Sequence, residues 1–252
     1  MDISLGNGKK IYFASDFHLG TPNYDSSLVR EKKIVRWLEE IQDDADAIFL
    51  LGDIFDFWFE YKRAIPKGFT RFLGKIAELS DQGIKIIFFT GNHDMWMFKY
   101  FPEEFGIPIY RNPIDLSVGE HKFHIGHGDG LGPGDFTYKI LKKIFQNRIC
   151  QWLFARLHPN FGIGLAQFWS RRSRISSGSD MKDFGENEWI LTYCKEMEKE
   201  HHYDYYIFGH RHLKMERKVS DNSTYYNLGE WVNESNYGVY DGNKFEFKSF
   251  DR

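Results

Sequence analysis

Apolar residues in this chain fall into short runs that stop abruptly. Residues 11–15, 47–51, 84–89 and 203–208 are rich in Ile, Phe, Leu and Tyr and carry no helical stripe, so each predicts a buried strand. Between the first two, Leu28, Ile34, Leu38 and Ile41 share one helical face, with Asp25 and Ser26 as candidate caps. Between the second and third, Phe72, Leu73, Ile76 and Leu79 predict a helix over residues 69–79, with Gly83 beyond it as a stop signal. Strand, helix, strand, helix, strand implies parallel strands and an α/β fold. Residues 114–118 and 121–126 flank Gly119-Glu120 as an antiparallel hairpin. A helix over 186–201 precedes the strand at 203–208. Runs at 224–228, 237–240 and 245–250, with a turn at Asp241-Gly242-Asn243, predict an antiparallel tail.

One stretch breaks this pattern. Residues 131–182 are helical, aromatic and basic, with nine Lys or Arg against two Asp, a local charge of +7 in a chain whose total is −3. The remainder therefore carries −10. The stretch is expected to be an insertion with its own task inside a single domain spanning 1–252.

The strand ends carry the candidate chemistry. The runs stop at Asp16-Phe17-His18, Gly52-Asp53-Ile54-Phe55-Asp56, Gly91-Asn92-His93-Asp94, Gly126-His127-Gly128-Asp129 and Gly209-His210-Arg211-His212. Any one of these alone is explained by a polar turn or a helix cap. Five of them, each at the carboxyl end of a strand where open α/β sheets place ligands, are not. Asp16, His18, Asp53, Asn92, His127, His210 and His212 offer oxygen and nitrogen donors without thiolate. That mixture suits Mn²⁺, Fe²⁺ or Zn²⁺ and is too rich in imidazole for a Ca²⁺ or Mg²⁺ cage. Seven ligands exceed the need of one ion with a place left for substrate, so two ions sharing one carboxylate are expected. Such a pair suits hydrolysis of phosphate esters.

Composition narrows the partners. A net charge of −3, and −10 outside the insertion, gives no extended track for a nucleic-acid backbone. Two cysteines, Cys150 and Cys194, lie in no metal-binding spacing and read as buried thiols in a reducing compartment. Without a signal-like or membrane-spanning apolar stretch, a cytoplasmic protein at most resting on a membrane is expected. Aromatic content of 18% leaves rings to line an apolar site.

In their order, Asp-x-His, Gly-Asp-x-x-Asp, Gly-Asn-His-Asp, Gly-His-Gly-Asp and Gly-His-x-His resemble the calcineurin-like metallophosphoesterases, over most of the chain from Asp16 to His212. The resemblance implies a sandwich of two mixed β-sheets flanked by helices. It also implies that Asp16, His18, Asp53 and His212 hold one ion and Asp53, Asn92, His127 and His210 the other, with Asp53 as the bridge. His93 would serve the leaving group as an acid, held by Asp56, while Asp94 and Asp129 would orient imidazoles or backbone.

Within that family the chain is similar to the UDP-2,3-diacylglucosamine hydrolases of lipid A biosynthesis. The shared features are Leu51-Gly52-Asp53-Ile54-Phe55-Asp56-Phe57-Trp58, the Asp135-x-x-Tyr138 spacing and the basic, aromatic helical insertion. Such enzymes use the insertion as a lid over acyl chains beside the inner membrane, which they would meet peripherally. Trp152, Leu153, Phe154, Leu157, Phe161, Leu165, Phe168 and Trp169 could line an apolar groove, while Arg171, Arg172 and Arg174, with Asp135 and Tyr138, could meet the lipid-linked nucleotide. An amphipathic helical hairpin packed on the core, with a solvated basic face, is the plainer alternative for the same segment. In the well-known branch of these hydrolases the position of His93 is an Arg, whereas this chain keeps the phosphatase His. A phosphodiesterase or phosphatase for another substrate is therefore the second reading, and a non-catalytic scaffold the third. Oligomeric state is left open by the sequence.

Overall fold

The computed structural model describes residues 1–134, 136–176 and 182–251, with the backbone alone of Thr137, Trp169 and residues 171–176. A short strand, β1 (Asp2–Ile3), precedes β2 (Lys10–Ala14), where alternation sets the layering. Ile11 and Phe13 face one core, Tyr12 and Ala14 another, and all four are buried. After α1 (Tyr24–Ile41), β3 (Ala45–Leu51) repeats the split, with Ala47, Phe49 and Leu51 on the first face and Ile48 and Leu50 on the second. Next come α2 (Thr70–Asp81), β4 (Lys85–Phe89), α3 (Tyr100–Phe105), β5 (Ile109–Tyr110) and the hairpin β6 (Ile114–Val118) and β7 (His121–Ile125). The insertion forms α4 (Phe136–Gln146), α5 (Arg148–Phe154) and α6 (Pro159–Ser176). The chain closes with α7 (Trp189–Met197), β8 (Tyr205–Phe208), β9 (Lys214–Ser220), β10 (Ser223–Leu228), β11 (Asn236–Tyr240) and β12 (Phe245–Ser249).

Two six-stranded mixed sheets result, ordered β1-β6-β7-β8-β10-β9 and β12-β11-β2-β3-β4-β5. The core between them is aromatic, with Phe13 stacked on Phe49 at 5.3 Å between ring centroids and Phe123 at 6.2 Å from Phe13. Burial of each such ring contributes about 1.5–3 kcal/mol. The outer face of the second sheet is covered by Trp37, Leu38, Phe72 and Ile76 from α1 and α2. That of the first is covered by Ile190, Leu191 and Cys194 from α7.

The expected parallel order holds for β2, β3 and β4. The antiparallel tail needs correction. β10 pairs antiparallel with β9, but on its other edge it runs parallel to β8. The α1 cap also differs: Asn23 Oδ1 accepts from Ser26 N at 2.9 Å, so neither Asp25 nor Ser26 is the cap. At the start of α2, Phe69 has φ of 57° and offers no side-chain cap. Its free N–H groups are met from outside, as Glu31 Oε1 on α1 accepts from Arg71 N at 2.7 Å and Phe72 N at 3.2 Å.

Between its ends the insertion packs on the loops after β3 and β4. Trp96 Nε1 donates to Phe145 O at 2.8 Å, and Phe154 sits against Phe59 and Trp96, with centroids at 4.7 and 4.8 Å. Its exit is fastened by a buried ion pair, Arg211 Nε to Glu188 Oε2 at 2.9 Å, and by Arg211 Nη2 donating to Lys182 O at 2.7 Å.

Glu31→Ala removes the side-chain cap that α2 receives at its N-terminus. A stability loss of about 1–2 kcal/mol in urea unfolding is expected, with metal uptake unchanged; an unchanged midpoint would show that the contact contributes nothing.

Candidate metal centre

The candidate ligands are gathered because the carboxyl ends of β2, β3 and β4 in one sheet and β7 and β8 in the other open to the same side. Main-chain bonds stitch the loops there: Asp16 N to Gly52 O at 3.0 Å, His18 N to Asp53 O at 2.9 Å, and Gly209 N to His127 O at 2.9 Å. Among the described residues, six that are not glycine have positive φ, and five are Asp16, His18, Asp53, His210 and His212. A left-handed residue costs about 1–2 kcal/mol, so strain is concentrated where side chains must converge. Glycines make the approach possible. A Cβ on Gly52 would lie 2.7 Å from His127 Nδ1, and one on Gly91 would lie 2.7 Å from Asp53 N. Arg30, buried on α1, holds the first loop by donating to Phe17 O, His18 O and Thr21 O at 2.7, 2.6 and 2.6 Å. The loops after β3 and β4 are joined by Asp94, which accepts from Ile54 N and Gly91 N, both at 2.8 Å.

Ligand atoms about 2.1 Å from one ion must lie roughly 3.0–4.2 Å from each other. His212 Nε2 is 3.0 Å from His18 Nε2 and 3.2 Å from Asp16 Oδ1, and His18 Nε2 is 3.6 Å from Asp16 Oδ1 and 3.8 Å from Asp53 Oδ2. A chain of similar distances links a further set of side chains. Asn92 Oδ1 is 3.0 Å from His210 Nδ1 and 3.3 Å from His127 Nε2, which is 3.5 Å from Asp53 Oδ2. Asp53 Oδ2 is common to both groups. It and Asp16 Oδ1 are buried and accept no hydrogen bond from any described residue, which a pair of cations would explain. Asp16, His18, Asp53 and His212 fit a divalent ion.

Charge in the ion-free cluster supports the fit. Burial opposes ionisation of Asp16 and Asp53, yet the surrounding imidazoles hold both well below the usual carboxylate range. Burial also opposes a charged His127, but the Asp53 and Asp16 carboxylates outweigh it and push His127 up to about 10. Burial and the His127 charge together push His210 down to about 4. His127 Nδ1 donates to Leu51 O at 2.7 Å, which turns Nε2 toward the cluster.

His93 and Asp56 stand beside the first group, with His93 Nδ1 3.8 Å from Asp56 Oδ1. The hydrogen bond, however, is to the main chain: Nδ1 donates to Asp56 O at 3.1 Å. Asp129 accepts from Tyr138 OH at 2.5 Å and pairs with Lys142 Nζ at 2.7 Å, tying α4 to the loop after β7 rather than orienting an imidazole among the described residues. A cleft of about 280 Å³ opens from the cluster, with Asp56, Asn92 and His93 at its polar end and Trp96, Tyr138, Phe145, Phe154 and Leu165 along its apolar wall. A larger concavity of about 650 Å³, at residues 2–8, 117–119 and 241–243, shares no residue with the cluster.

Of the other expected groove residues, Trp152, Leu153, Phe161 and Phe168 point to solvent and Leu157 is half-buried. Asp135 and the side chains of Trp169, Arg171, Arg172 and Arg174 lie outside the described residues. Arg30, Trp96, Glu188 and Ser170 were not singled out by sequence. Arg30 bonds main-chain carbonyls 9 to 13 residues away, the partners of the other three are 23 to 77 residues away, and the charge of Arg211 between His210 and His212 is the one sign of a buried counter-ion.

Imidazole must be neutral to bind a metal, and His127 carries its proton at neutral pH in the ion-free protein. Ion uptake should therefore release about one proton, and affinity should rise from pH 6 to 8. Calorimetry at pH 7 in buffers of differing ionisation enthalpy measures this, and no proton release would show that His127 is already neutral before the ion binds.

A family model of the calcineurin-like phosphoesterases matches residues 9–214. A UDP-2,3-diacylglucosamine hydrolase of Porphyromonas gingivalis is 38% identical over 257 residues, covering 96% of this chain and 98% of its own. Hydrolases of the same name from Aeromonas salmonicida and Actinobacillus succinogenes are 27% and 28% identical, covering 79% and 88% of this chain and 76% and 92% of their own. Motif order, two mixed sheets, a buried carboxylate–imidazole cluster and these matches agree: the chain belongs to the calcineurin-like phosphoesterases and is a metal-dependent hydrolase.

Proposed function

We propose that this protein hydrolyses the pyrophosphate bond of UDP-2,3-diacylglucosamine to UMP and 2,3-diacylglucosamine 1-phosphate, on two divalent ions, with Mn²⁺ as the favoured metal. The observation that carries this reading is the junction of a charged cluster with an apolar cleft walled by both body and insertion. A substrate with a pyrophosphate beside two acyl chains needs both. The names of the relatives point the same way.

Asp16, His18, Asp53 and His212 would hold one ion and Asp53, Asn92, His127 and His210 the other. When bound, such ions supply Lewis acidity that neutralises charge on phosphoryl oxygens and makes hydroxide available near neutral pH. The chain itself does the rest. Asp53, whose Oδ2 lies 3.8 Å from His18 Nε2 and 3.5 Å from His127 Nε2, would belong to both sets. His93, whose Nδ1 donates to a carbonyl, would present Nε2 to the leaving-group oxygen and transfer a proton from that atom, with Asp56 nearby to support its charged form. Trp96, Phe145, Phe154 and Leu165 would take the acyl chains and exclude water. His93 is also the observation behind the second reading, a phosphodiesterase acting on another ester.

The insertion would rest on a membrane surface where the lipid resides. Of twelve large hydrophobic residues exposed among those described, nine lie on it, and Phe136, Ile140 and Ile144 form one stripe of α4. Lys143 on α4, Arg148 on α5 and Arg156 in the turn after α5 would meet anionic headgroups. No described helix is long and apolar enough to cross a membrane.

Purified protein with Mn²⁺ is expected to release UMP from UDP-2,3-diacylglucosamine, with loss of release in EDTA or on Asp53→Ala, and a drop of about 100-fold or more on His93→Ala. Absence of UMP alongside turnover of a simple aryl phosphodiester would favour the second reading. The paired change Phe136→Asp and Ile140→Asp should weaken cosedimentation with vesicles containing phosphatidylglycerol about 10-fold or more; equal binding would refute contact through α4.

A further inference from the structure

Helix α6 reaches the metal centre through one side chain. Gly162, Ala166 and Ser170 are spaced four residues apart and so share one face. Gly162 lies under Tyr61, where an added Cβ would come within 2.6 Å of the hydroxyl, and Ala166 lines the cleft. Ser170 is 8% exposed, whereas Leu165 and Phe168 on other faces are 46% and 62% exposed. Its Oγ lies 3.1 Å from His93 Nδ1, and His93 Nδ1 lies the same 3.1 Å from Asp56 O. A carbonyl only accepts, so Nδ1 carries hydrogen and is shared by the two oxygens in a three-centre bond. One acceptor leaves an imidazole free to swing about the line of its bond, and two on either side fix the ring plane and hence the direction of Nε2. A helical serine usually turns back to the carbonyl four residues earlier; here the hydroxyl crosses to another element.

We propose that Ser170 is a positioning residue, through which the docked insertion sets the imidazole of His93 toward the leaving group. The inference rests on the reading of His93 given above. It makes the insertion a part of the catalytic arrangement as well as a cover for lipid, since the ring is aligned only while α6 lies on the body.

The test is a double-mutant cycle in the manganese-loaded enzyme, following release of UMP. Ser170→Ala should lower kcat about 10-fold with KM within about twofold, because alignment of a reacting group is lost while the binding cleft is kept. Ser170→Thr, which keeps the hydroxyl, should restore kcat to within about threefold of wild type. In the His93→Ala background, Ser170→Ala should have no further effect. An equal loss from Ser170→Ala in both backgrounds overturns the inference, as does an unchanged kcat in the single variant. If His93→Ala itself leaves kcat intact, the reading of His93 fails first, and that outcome is distinct. Unchanged manganese content and thermal midpoint in each variant separate alignment from loss of fold.

Discussion

Two ionised carboxylates, Asp16 and Asp53, share one cluster and are themselves fully buried, and the surrounding loops answer that charge. Left alone in a dry interior, such a pair would cost many kcal/mol or take up protons. The chain meets it in two ways. Main-chain N–H groups are turned inward, His93 N to Asp53 Oδ1 at 2.8 Å and His210 N to Asp16 Oδ2 at 3.1 Å. Three imidazoles, those of His18, His127 and His212, come within 3.2–3.8 Å of the carboxylates. What remains, the two unpartnered oxygens, is the charge reserved for cations.

Strain follows from the same demand. Side chains from five strand ends can meet at one point only if the backbone leaves its ordinary regions, and Asp16, His18, Asp53, His210 and His212 do so. The cost is met by the aromatic cores on both sides of the sheets and by Arg30 and Asp94, which hold neighbouring loops from behind.

The site was legible in the sequence to the extent that its chemistry is local. Each packet of Asp, His, Asn and Gly follows a strand whose apolar run is visible without a partner. The parallel core β2, β3 and β4 was legible for the same reason. Lys214–Ser220 was not, because a half-exposed edge strand of mixed charge has no clear alternation. The parallel edge of β10 was hidden too, since strand pairing is set by packing in three dimensions. Glu31 capping α2, Glu188 under Arg211 and Ser170 beside His93 are pairings between distant residues, which periodicity cannot encode. The capping error at α1 was of another kind: Asn23, Asp25 and Ser26 are all competent caps, and φ of −151° at Asn23 decided among them.

The buried pair of Arg211 and Glu188 bears on how this insertion can be exchanged. By composition it ends near residue 182, which invites a cut there and replacement from a relative. Yet Arg211, 4% exposed between two histidines of the cluster, has its counter-charge at Glu188, which is fully buried beyond that point. A transplant cut at 182 with a foreign exit would leave a guanidinium without its anion beneath the metal centre, at a cost of about 3–5 kcal/mol. The transferable unit therefore extends through Glu188, and the boundary of the module is electrostatic before it is compositional.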